Sequence, residues 1–68
     1  MTLDAATYEI AVLIGRIQGA GIIKRKEALF AAGCLAKLSL AAGVPINSIR
    51  AAIHPFDLND AEAEADKP

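Results

Sequence analysis

The chain contains few of the residues that build covalent or metal-bound sites: among its 68 residues are one cysteine and one histidine. Because Cys34 has no partner, it cannot form a disulfide within the chain, which fits a reducing compartment such as the cytoplasm. Cys34 and His54 together offer only two metal ligands, fewer than a zinc site requires. The sequence therefore predicts no disulfide, no metal site and no cofactor.

Catalytic groups are equally sparse. The cysteine and the histidine fall on different predicted helices, without an obvious third group to orient a base. Five of the eight acidic residues lie in the last dozen positions, where a catalytic carboxylate could not be held in place. We therefore expect that the protein is not an enzyme.

Long hydrophobic runs are also lacking. A spanning helix needs about 20 apolar residues, and the apolar stretch 28–44 is shorter and carries Lys37 near its middle. The first residues show no basic start followed by an apolar run, and Arg16 interrupts the first apolar stretch, so no secretory signal is indicated. We expect a cytoplasmic protein without a membrane segment.

What the chain does have is small and aliphatic: 54% of its residues are hydrophobic, but aromatics make up only 4%. Its Ala, Ile and Leu residues are good helix packers and lack the alternation that strands need. So short a chain is enough for one domain, and it buries only about 60% of its unfolded surface. The composition predicts a compact all-α domain of marginal stability.

Helical spacing of apolar residues predicts three helices, of which the first two are the longer. The first covers 3–18, with Thr2 as its N-cap and glycines at 19 and 21 to end it. Its apolar stripe consists of Leu3, Ala6, Ile10, Leu13, Ile14 and Ile17. The second covers 27–42 and ends at Gly43.

The third predicted helix runs from Pro45 to His54, and Pro55 ends it because the residue before a proline is pushed out of helical geometry. Its predicted buried stripe consists of Ile46, Ile49 and Ile53. Phe56 and Leu58 can then fold back onto the core. Residues 59–68 are small and acidic without an apolar stripe, which predicts a disordered tail after a three-helix domain over 1–58.

The second predicted helix is apolar on nearly every side; Glu27, Lys37 and Ser39 are its polar exceptions. A helix of this kind must be buried on several sides, and two other short helices cannot cover all of them. A second copy or a partner protein would cover the remainder. We therefore expect a homodimer, packed or intertwined, whose interface includes Leu29, Phe30, Leu35 and Leu38.

Charge is distributed unevenly along the chain. The net charge is −1, whereas dedicated DNA binders are usually basic. The acids concentrate near the end, however, so the body is mildly basic. Three consecutive cations, Lys24 to Lys26, precede the second helix and oppose its macrodipole, which favours acids there. They are either phosphate contacts or part of a solvated loop.

Residues 35–53, from Leu35 through Gly43-Val44-Pro45 to Ile53, resemble the helix-turn-helix of bacterial and phage transcription regulators. Leu38 and Ala42 look like the small or apolar positions of that family's first helix, and Gly43 looks like its turn glycine. The positions that resemble its buried residues are Val44, Ile49 and Ala52 or Ile53.

This resemblance implies a small transcriptional regulator that binds double-stranded DNA by placing its third helix in the major groove. Arg can pair bidentately with guanine and Asn with adenine, and Asn47 and Arg50 share one helical face. The candidate base-contacting residues are Asn47, Ser48, Arg50 and His54. The candidate phosphate contacts are Lys24, Arg25, Lys26 and Lys37.

A second hypothesis needs no DNA. The protein would be a small helical interaction module, such as an inhibitor or adaptor of phage or plasmid type, that lays an apolar helix against a larger protein partner. Under this hypothesis, exposed apolar positions of the second helix matter and Arg50 does not.

Overall fold

The computed structural model describes residues 1–67, which form an all-helical fold. Its helices are α1 (Leu3–Gly19), α2 (Arg25–Ala41), α3 (Ile46–Ile53) and α4 (Leu58–Ala65). The first three agree with the predicted helices to within two residues at each end. No helix in the described part of the chain is long and apolar enough to cross a membrane.

The predicted start of α1 and end of α2 are confirmed by their hydrogen bonds. The Thr2 hydroxyl accepts a hydrogen bond of 3.1 Å from the Ala5 N–H. At the end of α2, Gly43 adopts φ +94°, a conformation that favours glycine. The N–H of Gly43 donates to Leu40 and that of Val44 to Ser39. This Schellman arrangement satisfies carbonyls that the helix end leaves free.

The core lies where α2 meets the other three helices. α2 contributes small side chains, while Ile49 and Ile53 of α3 are almost completely buried. Phe56 and Leu58 fold back onto this core, as expected. The predicted burial of Ile46 is wrong, since its side chain is 44% exposed. It is the first residue of α3, and Val44 of the preceding turn is buried instead.

The apolar stripe predicted for α1 is not the face that packs inward. Thr7 is buried, and Ala11 and Ile14 pack against the core. Four residues of the predicted stripe remain exposed: Leu3, Ile10, Leu13 and Ile17. Only Ile14 of the large predicted residues belongs to the core-facing side, because α2 and α3 approach α1 from that side.

The prediction of a disordered tail after a three-helix domain is wrong for the described residues, because α4 occupies most of that segment. Asp57 caps it by accepting a hydrogen bond of 3.1 Å from the Asp60 N–H. Ala61 is 0% exposed. Low apolar content suggested disorder, but α4 packs through small residues against Gly33 of α2 and needs no large side chains there. Pro68, the end of the predicted tail, lies outside the described residues.

Candidate functional site

The outer face of α3 is open. Because Ile49 and Ile53 point into the core, Asn47, Arg50 and His54 are left exposed, and Ser48 is half-buried. Within residues 1–67, Arg50 forms no ion pair. This face therefore presents an amide, a guanidinium and an imidazole to solvent.

Arg50 and His54 also line a cleft of about 390 Å³ where α3 turns into α4. The other lining residues are Pro55, Phe56, Asp57, Leu58 and Asn59. The carboxylate of Asp57 is engaged as the cap of α4. The cleft thus contains hydrogen-bond donors from the side chains of Arg50 and Asn59. The negative charge of the Asp57 carboxylate disfavours binding of an anion there.

The basic residues at the start of α2 are only partly free. Lys24 is exposed, and its backbone N–H donates a hydrogen bond of 2.8 Å to the Glu27 carboxylate. The guanidinium of Arg25 lies 5.2 Å from the centre of the Phe56 ring, a distance at which a cation and an aromatic ring attract. Arg25 therefore helps to hold the segment between α3 and α4, a role that the sequence did not suggest.

The remaining two predicted phosphate contacts face α4. The Lys26 ammonium lies 3.9 Å from a Glu64 carboxylate oxygen, and the Lys37 ammonium lies 2.6 Å from Asp66. The hydrogen bond that the Lys37 ammonium donates to the Asp66 carboxylate, and then the negative charge of Asp66, raise the pKa of Lys37. Acids predicted to lie in a tail thus neutralise part of the basic surface of α2. The available signal was the spacing of Lys26, Gly33 and Lys37 along one side of a helix.

The predicted dimer residues fall into two groups. Leu38 is 71% exposed and Phe30 is 48% exposed, so both are free to contact another molecule. Leu29 is half-buried and packs against the core. Leu35 is already covered by its own chain, with 7% of its surface exposed, and does not belong to a free surface.

A buried polar pair joins α1 to α2. The hydroxyl oxygens of Thr7 and Ser39 lie 2.8 Å apart, and Thr7 donates a second hydrogen bond of 2.9 Å to the Leu3 carbonyl. Because a hydroxyl carries one hydrogen, Ser39 must be the donor to Thr7. The sequence had marked Ser39 only as one of the few polar residues of its helix.

Four exposed residues of α1 and the half-buried Ala6 form an apolar surface, which we call the α1 stripe: Leu3, Ala6, Ile10, Leu13 and Ile17. Beside the N-terminal half of the stripe, a groove of about 190 Å³ separates α1 from the end of α2. Its α2 side includes Leu38 and Ala42, and Val44 of the following turn also lines it.

Comparison with known proteins yields no relative: the chain matches no protein-family model, no curated protein and no solved structure.

Proposed function

We propose that the protein is a small DNA-binding transcriptional regulator that presents α3 to the major groove. The observation that carries this proposal is the open face of α3, which follows the Gly43 turn directly. Asn47, Arg50 and His54 are exposed on it, and the two core isoleucines anchor the helix from the opposite side.

The chemistry of this face suits the edges of base pairs. Arg50 can donate two hydrogen bonds to guanine, and Asn47 can exchange two with adenine. Ile46 and Ala51 are exposed nearby and could contact the methyl group of thymine. A helix held rigidly by Ile49 and Ile53 keeps these groups in a defined geometry.

Phosphate contacts would be few. Lys24 is free to make one, whereas Lys26 and Lys37 already face carboxylates of α4. The logarithm of the binding constant falls with the logarithm of salt concentration by about 0.9 per neutralised phosphate. We therefore expect a shallow salt dependence and a large contribution from base contacts.

The test begins with selection of DNA sites from a random duplex library by the full chain, followed by fluorescence anisotropy on the enriched site. We expect Arg50→Ala to weaken binding to this site by about 1–3 kcal/mol. Lys67→Ala is the matched control, since Lys67 is an exposed cation that pairs with Glu64 of α4 and does not lie on α3. Circular dichroism would establish that both variants fold.

Two results would contradict DNA binding through α3. One is the absence of any enriched site. The other is an Arg50→Ala variant that folds and binds the enriched duplex as tightly as the parent.

A second function is favoured by a different observation, the exposed apolar surface formed by the α1 stripe and Leu38. A net charge of −1 also suits a protein partner better than DNA. In this case the chain is a helical interaction module. A pull-down of the tagged protein from its native lysate would then recover one stoichiometric protein that survives nuclease treatment, and no enriched DNA.

A further inference from the structure

We infer that the α1 stripe is the interface of a homodimer in which the α1 helices of two copies pack antiparallel. This inference does not depend on whether α3 binds DNA. It differs from the interface predicted from the sequence, which was centred on the second helix. Its starting point is that α1 has two apolar sides and its own chain covers only one of them.

The stripe has the repeat of a helix that packs against another helix. Leu3, Ile10 and Ile17 are seven residues apart, and Ala6 and Leu13 repeat at the same interval between them. Apolar residues at the first and fourth positions of each heptad produce knobs that fit between those of a facing helix with the same repeat. A second copy of α1 supplies such a helix.

Two charges beside the stripe favour an antiparallel arrangement. Glu9 and Arg16 are both exposed and occupy the same heptad position on one flank. Neither forms an ion pair with its own chain over residues 1–67. When two helices run antiparallel with Ile10 opposite Leu13, Glu9 of each copy lies beside Arg16 of the other. Parallel helices would instead bring Glu9 beside Ile14, so charge selects the antiparallel pair.

Side-chain sizes agree with this register. It sets the small Ala6 of one copy opposite Ile17 of the other, twice by symmetry. Ala6 borders the groove between α1 and α2, so the facing isoleucine would enter that groove. The side chain of Leu38, which is 71% exposed, would be covered at the same time.

The dimensions of α1 and of the chain are compatible with an interface of ordinary size. A helix of 17 residues is about 25 Å long, close to the longest dimension of the molecule, 30 Å. A stable interface typically buries about 800 Å² of each partner, which is less than a fifth of the 4440 Å² exposed by this chain. The α1 stripe runs from Leu3 to Ile17, nearly the whole length of α1.

The first test is the mass of the full chain in solution, measured by size-exclusion chromatography with light scattering from micromolar to millimolar concentration. We expect a dimer for the parent and a monomer of unchanged helicity for Ile10→Glu and Leu13→Glu, because both side chains are exposed in the folded chain. Phe30→Glu is the matched control and should remain dimeric. Its side chain is exposed to a similar extent on the side of α2 that borders Glu64.

The second test examines orientation through charge. Glu9→Arg or Arg16→Glu alone should weaken dimerisation by roughly two- to thirtyfold, because two exposed ion pairs are lost. The combined Glu9→Arg, Arg16→Glu variant should restore it. A monomeric parent at millimolar concentration, or a dimer that survives Ile10→Glu and Leu13→Glu, would overturn the interface. Failure of the combined variant to restore the dimer would overturn its antiparallel arrangement.

Discussion

Gly33 of α2 lies against the backbone of Ala61 in α4 with no room for a side chain between them. A Cβ atom placed on Gly33 would come within 2.7 Å of the carbonyl carbon of Ala61 and 2.8 Å of the Cβ atom of Ala65. This close approach allows a helix of small residues to dock on α2. Docking in turn brings Glu64 and Asp66 to the lysines of α2.

Replacing Gly33 with alanine tests that packing. Alanine normally stabilises a helix by about 1 kcal/mol relative to glycine, but here the backbone of α4 would have to move. Overpacking of this kind costs about 1–3 kcal/mol, so we expect Gly33→Ala to lower the free energy of unfolding in urea by a similar amount. Gly15→Ala is the control and should raise it, since the space around Gly15 is open. Stabilisation by both variants would contradict the docking of α4.

Because of the hydrogen bond between the Thr7 and Ser39 hydroxyls, we expect their two single substitutions to lower the stability by different amounts. Thr7→Val leaves the buried Ser39 hydroxyl without its acceptor, and a buried polar group left without a partner costs about 1–3 kcal/mol. Ser39→Ala should cost less, because Thr7 keeps its hydrogen bond to the Leu3 carbonyl. Urea unfolding of both single variants and of the double variant would measure the coupling. If the two single effects simply add in the double variant, the hydroxyls are not bonded to each other.

The Lys37–Asp66 pair predicts a loss of stability at alkaline pH. Because the pKa of Lys37 is raised above 10.5, folding favours its protonated form. The stabilisation is fully present below the unfolded pKa and is lost as the pH rises through the folded pKa. We therefore expect the difference in unfolding free energy between the parent and Lys37→Gln to shrink in that range. Lys24→Gln is the control, because Lys24 takes part in none of these ion pairs. The difference in unfolding free energy between the parent and Lys24→Gln should change little with pH.

Local signals in the sequence were sufficient to place three helices. Thr2 caps α1, Gly43 ends α2 in a left-handed conformation, and Pro55 restricts the residue before it by steric contact. Each effect reaches only a few residues along the chain. Their effects hardly depend on the rest of the fold. The exposed face of α3 also followed from such local reasoning, because Ile49 and Ile53 lie on one side of a short helix.

Contacts between distant segments could not be predicted in the same way. The fourth helix was missed because Ala61 and Ala65 carry little apolar surface. That small surface is sufficient to hold α4 only because Gly33 of α2, which is distant in sequence, lets the two helices approach closely. For the same reason, the spacing of Lys26 and Lys37 marked one polar side of α2 but did not identify α4 as the helix that faces them. Their charge partners lie far away in sequence.

The all-helical character of the chain, its main helix ends and the polar face of α3 can therefore be predicted from the amino-acid sequence, because hydrogen bonding and backbone geometry act locally. Which side of each helix is covered depends on the packing of all four helices. In α1, Leu3, Ile10 and Leu13 are exposed, although their helical spacing had suggested that they belong to the core. An apolar stripe shows that a helix must pack, but the partner that covers it depends on how all the other helices are arranged.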